Sequence, residues 1–153
     1  MPVVEQFILI NAPLAKVMHA LNDVTSFSYW ASVEGTIGNI RGHNVGMTYE
    51  WHYSVGDFSF KGKSIVLEQT PNLLITKTEG DIDSLWTVKL NSINAHRTAL
   101  HVIVEYTPPT GFIEALADLV LQQLSNPQVA QDNINRFKTF VEQIEEHVIV
   151  SHK

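Results

Sequence analysis

The sequence predicts an α+β protein in which a large antiparallel sheet is covered on one face by a long C-terminal helix. Two observations carry this prediction. From Glu34 to Pro108, apolar and polar residues alternate with the period of two that is typical of strands, and turn residues interrupt the alternation. From Gly111 to Val150 the period becomes that of an amphipathic helix. The predicted order is one strand, two short helices, six strands and one long helix.

The N-terminal part supplies the first strand and the two short helices. The stretch Val3–Ile10 is β-branched and alternating, and because both of its faces are apolar we expect it to be covered on both sides. Asn11 is placed to cap a short helix that has Pro13 in its first turn. A second short helix is expected from Val24 to about Ala31.

Six further strands follow, with turn signals such as Gly80-Asp81 between them. The connections are too short for crossover helices, so these strands are expected to pair antiparallel as a meander. Their predicted ranges are 35–41, 46–55, 58–69, 72–79, 84–92 and 97–107.

One face of this sheet is predicted to be apolar, and it therefore needs one covering layer. The terminal helix is the one predicted element long enough to provide it. The inward positions are Met47, Tyr49, Trp51, Tyr53, Val55, Trp86, Val88, Leu90, Leu100, Val102, Val104 and Tyr106.

The terminal helix is predicted in two halves, separated at Pro127, which lacks a backbone N–H. The break is compatible with a static kink or with a hinge. The buried stripe of the first half contains Phe112, Leu116, Leu119, Val120 and Leu124. That of the second half contains Ala130, Ile134, Phe137, Val141, Ile144 and Val148.

Length and composition limit the class of protein. The 153 residues are expected to form a single domain, spanning 1–153. With 10 Lys and Arg against 16 Asp and Glu, the net charge of −6 argues against a nucleic-acid partner. The absence of cysteine excludes disulfides and thiolate metal sites. Without a recognisable signal peptide or an apolar run of membrane-spanning length, we expect a cytoplasmic protein with no integral membrane association, as a monomer or homodimer.

A family resemblance follows from the element order and from scattered positions along almost the whole chain. The matching positions are Ile10, Ala12-Pro13, Val17, Leu21, Asp23, Trp30, Gly46, Glu68, Pro71, Trp86, Thr98-Ala99-Leu100 and Tyr106-Thr107-Pro108. The sequence resembles the START/Bet v 1-like (SRPBCC) superfamily, and within it the polyketide cyclase/dehydrase-like group. The resemblance implies a helix-grip fold, in which a curved seven-stranded sheet wraps around the last helix. It also implies a cavity for a hydrophobic ligand between sheet and helix, and carries no catalytic motif with it.

Aromatic and aliphatic residues on the inner face are the candidate ligand-binding residues, since apolar sites are usually built from such walls. Ordinary core packing predicts the same alternation, so both interpretations stay open. The candidates are Tyr49, Trp51, Tyr53, Phe60, Trp86, Val88, Val102, Val104, Tyr106, Leu116, Val120 and Leu124.

Catalytic residues are not identified by any motif. Tyr49, Tyr53 and Tyr106 are the available acid groups, and their buried hydroxyls need partners such as Thr76 or Thr78. Glu68 becomes a candidate base if a bulge at Gly62 turns it inward, and is otherwise an exposed strand residue. Arg41 is an anion anchor at the cavity mouth or a surface charge.

The seven histidines do not form a metal-binding pattern, because no pair shows the helical spacing with a carboxylate that zinc sites use. His52 and His101 are predicted to lie on the outer face. We therefore expect no metal and no cofactor.

Three functions remain. The first is a protein that binds or carries a small hydrophobic ligand such as a lipid, a polyketide, or another aromatic or isoprenoid-like molecule. The second is a cyclase or dehydratase that folds a flexible substrate in the same cavity and moves protons with a tyrosine or a carboxylate. The third is an interaction module of the chaperone-cofactor or ribosome-associated type, which requires an exposed apolar patch.

Overall fold

A computed structural model describes residues 3–26, 34–55, 58–81, 83–107 and 127–151. The first three residues of the predicted second short helix form a 3₁₀ turn, and its remainder, 27–31, lies outside the described residues. The first half of the predicted terminal helix, 111–124, also lies outside them. The elements are β1 (Val3–Ile10), α1 (Leu14–Asn22), the 3₁₀ turn (Val24–Ser26), β2 (Glu34–Arg41), β3 (Thr48–Val55), β4 (Phe58–Thr70), β5 (Leu73–Gly80), β6 (Asp83–Asn94), β7 (Arg97–Thr107) and α2 (Pro127–Ser151).

The strands form one seven-stranded antiparallel sheet in the order β1-β7-β6-β5-β4-β3-β2. Strands β2 to β7 follow one another as hairpins, which confirms the predicted meander, and β1 joins the sheet beside β7. Pairing shifts register between Gly38 and Arg41, between Val66 and Glu68, and between Ser92 and Asn94. Such irregularities bend strands, and the sheet is curved. This α+β architecture is the predicted helix-grip fold.

The predicted inner face is confirmed where the side chains are described. On β7, Leu100, Val104 and Tyr106 are buried, and on β6 so are Val88 and Leu90. Because side chains alternate along a strand, the residues between them point to the other face of the sheet.

Helix α2 begins at Pro127, where the absent N–H is tolerated in a first turn. It packs against β1 and α1, and Ile134, Phe137 and Val141 form its buried stripe. A hydrogen bond from the backbone N of Asn11 to Oε2 of Glu142, 3.0 Å long, joins the helix to the end of β1. The stripe closes a core cluster with Ile10, Ala12, Val17, Met18, Ala20, Met47, Val66, Leu74, Val88, Leu90 and Leu100.

Two expectations for the N-terminal part are wrong. Pro13, not Asn11, is the residue before the first turn of α1, and no side chain caps that helix. The Oδ1 atom of Asn11 instead accepts a hydrogen bond from Nε of Arg97 at 3.2 Å. The outer face of β1 is not covered, since Phe7 is 64% exposed and Leu9 49%.

Candidate functional site

A cavity of about 510 Å³ lies between the inner face of the sheet and α2. Its volume falls within the range of about 300–1,000 Å³ that is common for small-molecule sites. The described residues that line it are Val4, Gln6, Ala20, Leu21, Asp23, Val24, Ser26, Thr36, Ile37, Tyr49, Trp51, His52, Ser64, Leu74, Thr76, Thr78, Ser84, Trp86, Val88, Leu100, Val102, Val104, Tyr106, Val129, Asp132, Asn133, Ile134 and Phe137.

Most of the predicted ligand-binding residues meet at this cavity. Seven of them line it: Tyr49, Trp51, Trp86, Val88, Val102, Val104 and Tyr106. Phe60 is buried in β4 but is absent from the cavity lining, so it belongs to the packed interior. The side chain of Tyr53 and the residues Leu116, Val120 and Leu124 lie outside the described part of the chain.

A row of five hydroxyl groups crosses the cavity wall from β3 to β7. Each member is the direct antiparallel partner of the next, so all five point to the same face at one level of the sheet. We call this set the hydroxyl row; it consists of Tyr49, Ser64, Thr78, Ser84 and Tyr106.

Hydrogen bonds connect parts of the hydroxyl row. The Tyr49 hydroxyl bonds to Ser64, and the hydroxyl oxygens of Ser64 and Thr78 are 2.8 Å apart. Ser84 accepts a hydrogen bond of 3.0 Å from Nε1 of Trp86. Cross-strand neighbours on one face lie close enough for such contacts, so the strand register itself assembles the network.

The phenol of Tyr49 is held in its neutral form. Burial raises the pKa of Tyr49 above its ordinary value of 10.0, and the hydrogen bond with Ser64 offsets only part of this effect. At neutral pH, Tyr49 is therefore protonated and cannot act as a base.

Trp51 lies on the wall next to the hydroxyl row because the opposite strand has no side chain there. Its register partner is Gly62, and a Cβ atom at that position would stand 2.2 Å from Cζ2 of Trp51 and 2.4 Å from the backbone oxygen of Glu79. Gly80, the partner of Gly62 on β5, has a φ of 149°. This pair of glycines leaves the space that the indole ring occupies.

The charged groups at the cavity are few. Asp23 and Asp132 contribute carboxylates to the lining, and the exposed His52 adds an imidazole. No lysine or arginine is present among the described lining residues. His52 was predicted to lie on the outer face, but it is among the residues that line the cavity. His101 lies on the outer face as predicted, with its Nε2 3.1 Å from Oε1 of Glu5 and its ring stacked on Phe7.

The two charged candidates from the sequence are not brought to the cavity. Glu68 is exposed beside the register shift of β4, which occurs at Val66/Glu68 and not at Gly62. Arg41 is exposed at the end of β2. Neither side chain is among the lining residues, so their predicted alternative as surface groups fits the structure.

Two kinds of feature are absent from the described residues. No group of three or more His, Asp and Glu side chains in the described ranges is arranged to hold a metal ion. No helix within those ranges combines the length and apolarity needed to cross a bilayer.

Sequence reasoning missed the serine members of the hydroxyl row and treated Thr76 and Thr78 only as partners for tyrosines. Short hydroxyl residues are common on either face of a strand, so their identity gives no signal. The signal lies in their alignment. Counting outward from the β5–β6 turn places Thr78 opposite Ser84, but Ser64 comes opposite Thr78 only because the register of β4 shifts between Val66 and Glu68.

Comparison with solved structures finds the same architecture in several bacterial proteins. The chain is similar to the Zhui aromatase/cyclase from Streptomyces sp. R1128, with a TM-score of 0.74, 14% identity and coverage of 92% of this chain and 93% of that one. A protein from Thermus thermophilus is similar with a TM-score of 0.75 and 14% identity, and the match covers 94% of this chain and 99% of that one. For a START superfamily protein from Mycobacterium smegmatis, the TM-score is 0.71 and the identity 13%, and the match covers 93% of this chain and 98% of that one. No protein-family model and no curated protein sequence matches the chain. At these identities the likeness concerns the fold.

Proposed function

Since the chain has the helix-grip fold of START and polyketide cyclase-like proteins, we propose that it binds a small, mainly apolar ligand in the cavity between the sheet and α2. The observation that carries the proposal is the cavity itself, whose wall combines aromatic and aliphatic side chains with the hydroxyl row and a few other polar groups. Apolar walls with a few placed polar groups are the usual composition of small-molecule sites. We further propose that residues 1–153 act as one ligand-binding domain.

The proposal is tested by filling the cavity with a side chain. N-phenyl-1-naphthylamine is a neutral probe that becomes fluorescent in apolar surroundings, so titration gives a dissociation constant for the native protein. Val102 points into the cavity from β7, and Val102→Phe is expected to weaken binding at least tenfold. Its matched control is Ile103→Phe, which places the same ring on the opposite face of the same strand.

The control is expected to bind the probe as tightly as the native protein does. Thermal unfolding of both variants checks that each is folded. If the native protein does not bind the probe, or if Val102→Phe and Ile103→Phe bind it equally well, the cavity is not a ligand site.

An alternative is an enzyme of the cyclase or dehydratase type acting in the same cavity. The observation in its favour is that the protonated Tyr49, an acid group, lines the cavity and is hydrogen-bonded to Ser64. The Streptomyces structure is named as an aromatase/cyclase, which gives this chemistry a precedent on the fold. Ligand released from freshly purified protein and then incubated with fresh protein distinguishes the two functions. An enzyme converts it to a product of different mass or retention time, whereas a carrier returns it unchanged.

A further inference from the structure

The Ser84 hydroxyl has hydrogen-bonding capacity that the described residues do not use. A hydroxyl donates one proton and accepts at its oxygen, whereas an indole nitrogen can only donate. The bond from Trp86 therefore uses one lone pair of the Ser84 oxygen, and the Ser84 proton remains available for donation. No acceptor for this proton is seen in the described ranges, although Ser84 is only 8% exposed and lines the cavity.

Thr76 provides a second hydroxyl of this kind. It is the inward residue of β5 next to Thr78, it lies directly opposite Trp86, and it is 7% exposed. It lines the cavity, and no described residue hydrogen-bonds to its hydroxyl. Because Thr76 lines the cavity, a ligand atom can use the hydrogen-bonding capacity of its hydroxyl.

Both hydroxyls can donate a proton, and the described lining residues include no lysine or arginine. A ligand that accepts both of these protons presents an acceptor atom, such as a carbonyl oxygen, toward Thr76 and Ser84. A carboxylate or phosphate would also need a compensating positive charge when buried. The described lining offers Asp23 and Asp132 instead of lysine or arginine. A neutral acceptor is therefore favoured over an anion.

The two indoles set the shape of the space around these hydroxyls. Along β3, Trp51 is the next inward residue after Tyr49 of the hydroxyl row. Along β6, Trp86 is the next inward residue after Ser84, and it lies directly opposite Thr76. Aromatic rings favour stacked or edge-to-face contacts with other rings. Because both indoles line the cavity, its wall suits a ligand that contains an aromatic ring system.

We propose that Thr76 and Ser84 are specificity-determining residues that donate hydrogen bonds to the carbonyl oxygen of a neutral, planar aromatic ligand, and that they select it over an anionic lipid. This proposal rests on the ligand-binding function proposed above. It assigns the polar contacts of the ligand to these two side chains and fixes which end of the ligand faces β5 and β6.

Three rigid tricyclic probes separate the contributions of ring, carbonyl and charge. Fluorene has the ring system alone, 9-fluorenone adds a neutral carbonyl, and fluorene-9-carboxylate places an anion at the same carbon. Displacement of N-phenyl-1-naphthylamine gives the affinity of each. The native protein is expected to bind 9-fluorenone about three- to tenfold more tightly than fluorene, as one or two added hydrogen bonds would give. The carboxylate is expected to bind more weakly than either.

Thr76→Val tests the assignment with a side chain of the same shape. The variant is expected to lose most of the preference for 9-fluorenone and to keep the affinity for fluorene. Thr76→Ser should retain the preference because it keeps the hydroxyl. Thr87→Val is the matched control, since Thr87 lies on β6 and points away from the inner face. Ser84→Ala is a second, independent test, with folding checked by thermal unfolding because it removes the acceptor of the Trp86 N–H.

A spectroscopic readout follows the hydrogen bond itself. The infrared C=O stretch of bound 9-fluorenone is expected at a lower frequency in the native protein than in Thr76→Val or Ser84→Ala. The inference is overturned if the native protein binds fluorene and 9-fluorenone equally, or if both variants keep the native ratio. If neither fluorene nor N-phenyl-1-naphthylamine binds, the proposed function fails and this inference fails with it.

Discussion

Two regions of the inner face of the sheet show the same alternation of apolar and polar residues, but one is packed against the helices and the other borders a cavity. Where the end of β6 pairs with the start of β7, the inward Leu90 and Leu100 belong to a buried core cluster that also contains Ile10 and residues of α1 and α2. Leu100 lies at its boundary, since it also lines the cavity. At the hydroxyl row, the inward residues of β4, β5 and β6 are Ser64, Thr78 and Ser84, and a cavity separates the sheet from α2. The comparison shows how space arises in such a fold. Three short side chains at one level leave unfilled the gap that leucine and isoleucine close at the other.

The packed end should carry more of the stability than the cavity end. Ile10 is fully buried in the core cluster and does not line the cavity. Ile10→Ala is expected to lower the free energy of unfolding by about 2–5 kcal/mol, because it removes buried methyl groups and leaves a void. Urea denaturation measures the loss. Leu9→Ala, at the exposed neighbouring position, should change stability by no more than about 0.5 kcal/mol. Equal losses in the two variants would show that the packed end is not a packed core.

The packing of Trp51 against Gly62 is expected to be disrupted by a single added methyl group. Gly62→Ala places a Cβ within 2.4 Å of the backbone oxygen of Glu79 as well as against the indole, so the backbone must shift. Overpacking of this kind should lower the free energy of unfolding by about 1–3 kcal/mol and change the tryptophan fluorescence. Gly38→Ala is the control, since no atom lies within 4 Å of the added group at that position of β2. An unchanged emission spectrum in Gly62→Ala would contradict the proposed close contact.

The smallest of these effects is expected at the Tyr49 hydroxyl. Tyr49→Phe removes its hydrogen bond with Ser64 and should lower the free energy of unfolding by about 1 kcal/mol at neutral pH. The raised pKa means that the folded protein holds the phenol proton more tightly than the unfolded chain does. The resulting stability is complete below about pH 10 and is lost as the pH rises through the folded-state pKa.

This pH dependence provides the measurement for Tyr49. Urea denaturation of the native protein and of Tyr49→Phe is compared from about pH 8 to about pH 11. The native protein should lose stability more steeply above about pH 10, so the difference between the two narrows as the pH rises. A difference that stays constant over this range would show that Tyr49 is not buried at the cavity.

The sequence was sufficient for the architecture because each element has a strong local signal. The alternation of β6 and β7 identified the inner face correctly, and the stripe of Ile134, Phe137 and Val141 identified the covering face of α2. Periodicity reports burial, however, and not the distance to the opposite layer. Phe60 and Val104 therefore gave the same signal, although Val104 lines the cavity and Phe60 is enclosed in the packed interior.

The polar part of the site depends on relations between strands that a single segment does not contain. Ser84 is unremarkable in β6, and it becomes part of a site only because the register aligns it with Thr78 and Tyr106. For the same reason, the orientation of the Glu68 side chain could not be predicted, because it depends on where the register of β4 shifts. The exposed Phe7 on β1 was also misjudged, since an apolar strand sequence does not reveal whether a second layer covers it.

The claim that a ligand binds at the hydroxyl row and not at the packed region is tested most directly by locating a bound ligand through nuclear Overhauser contacts. 9-Fluorenone is added to protein whose methyl groups are isotopically labelled, and contacts from the ligand protons to the methyl groups are recorded. We predict contacts with the methyl groups of Thr76, Thr78 and Val104, and none with those of Ile10 or Val141. Contacts with Ile10 and Val141 instead, or with the exposed Leu9 on the outer face, would contradict the assignment of the ligand to the hydroxyl end of the cavity.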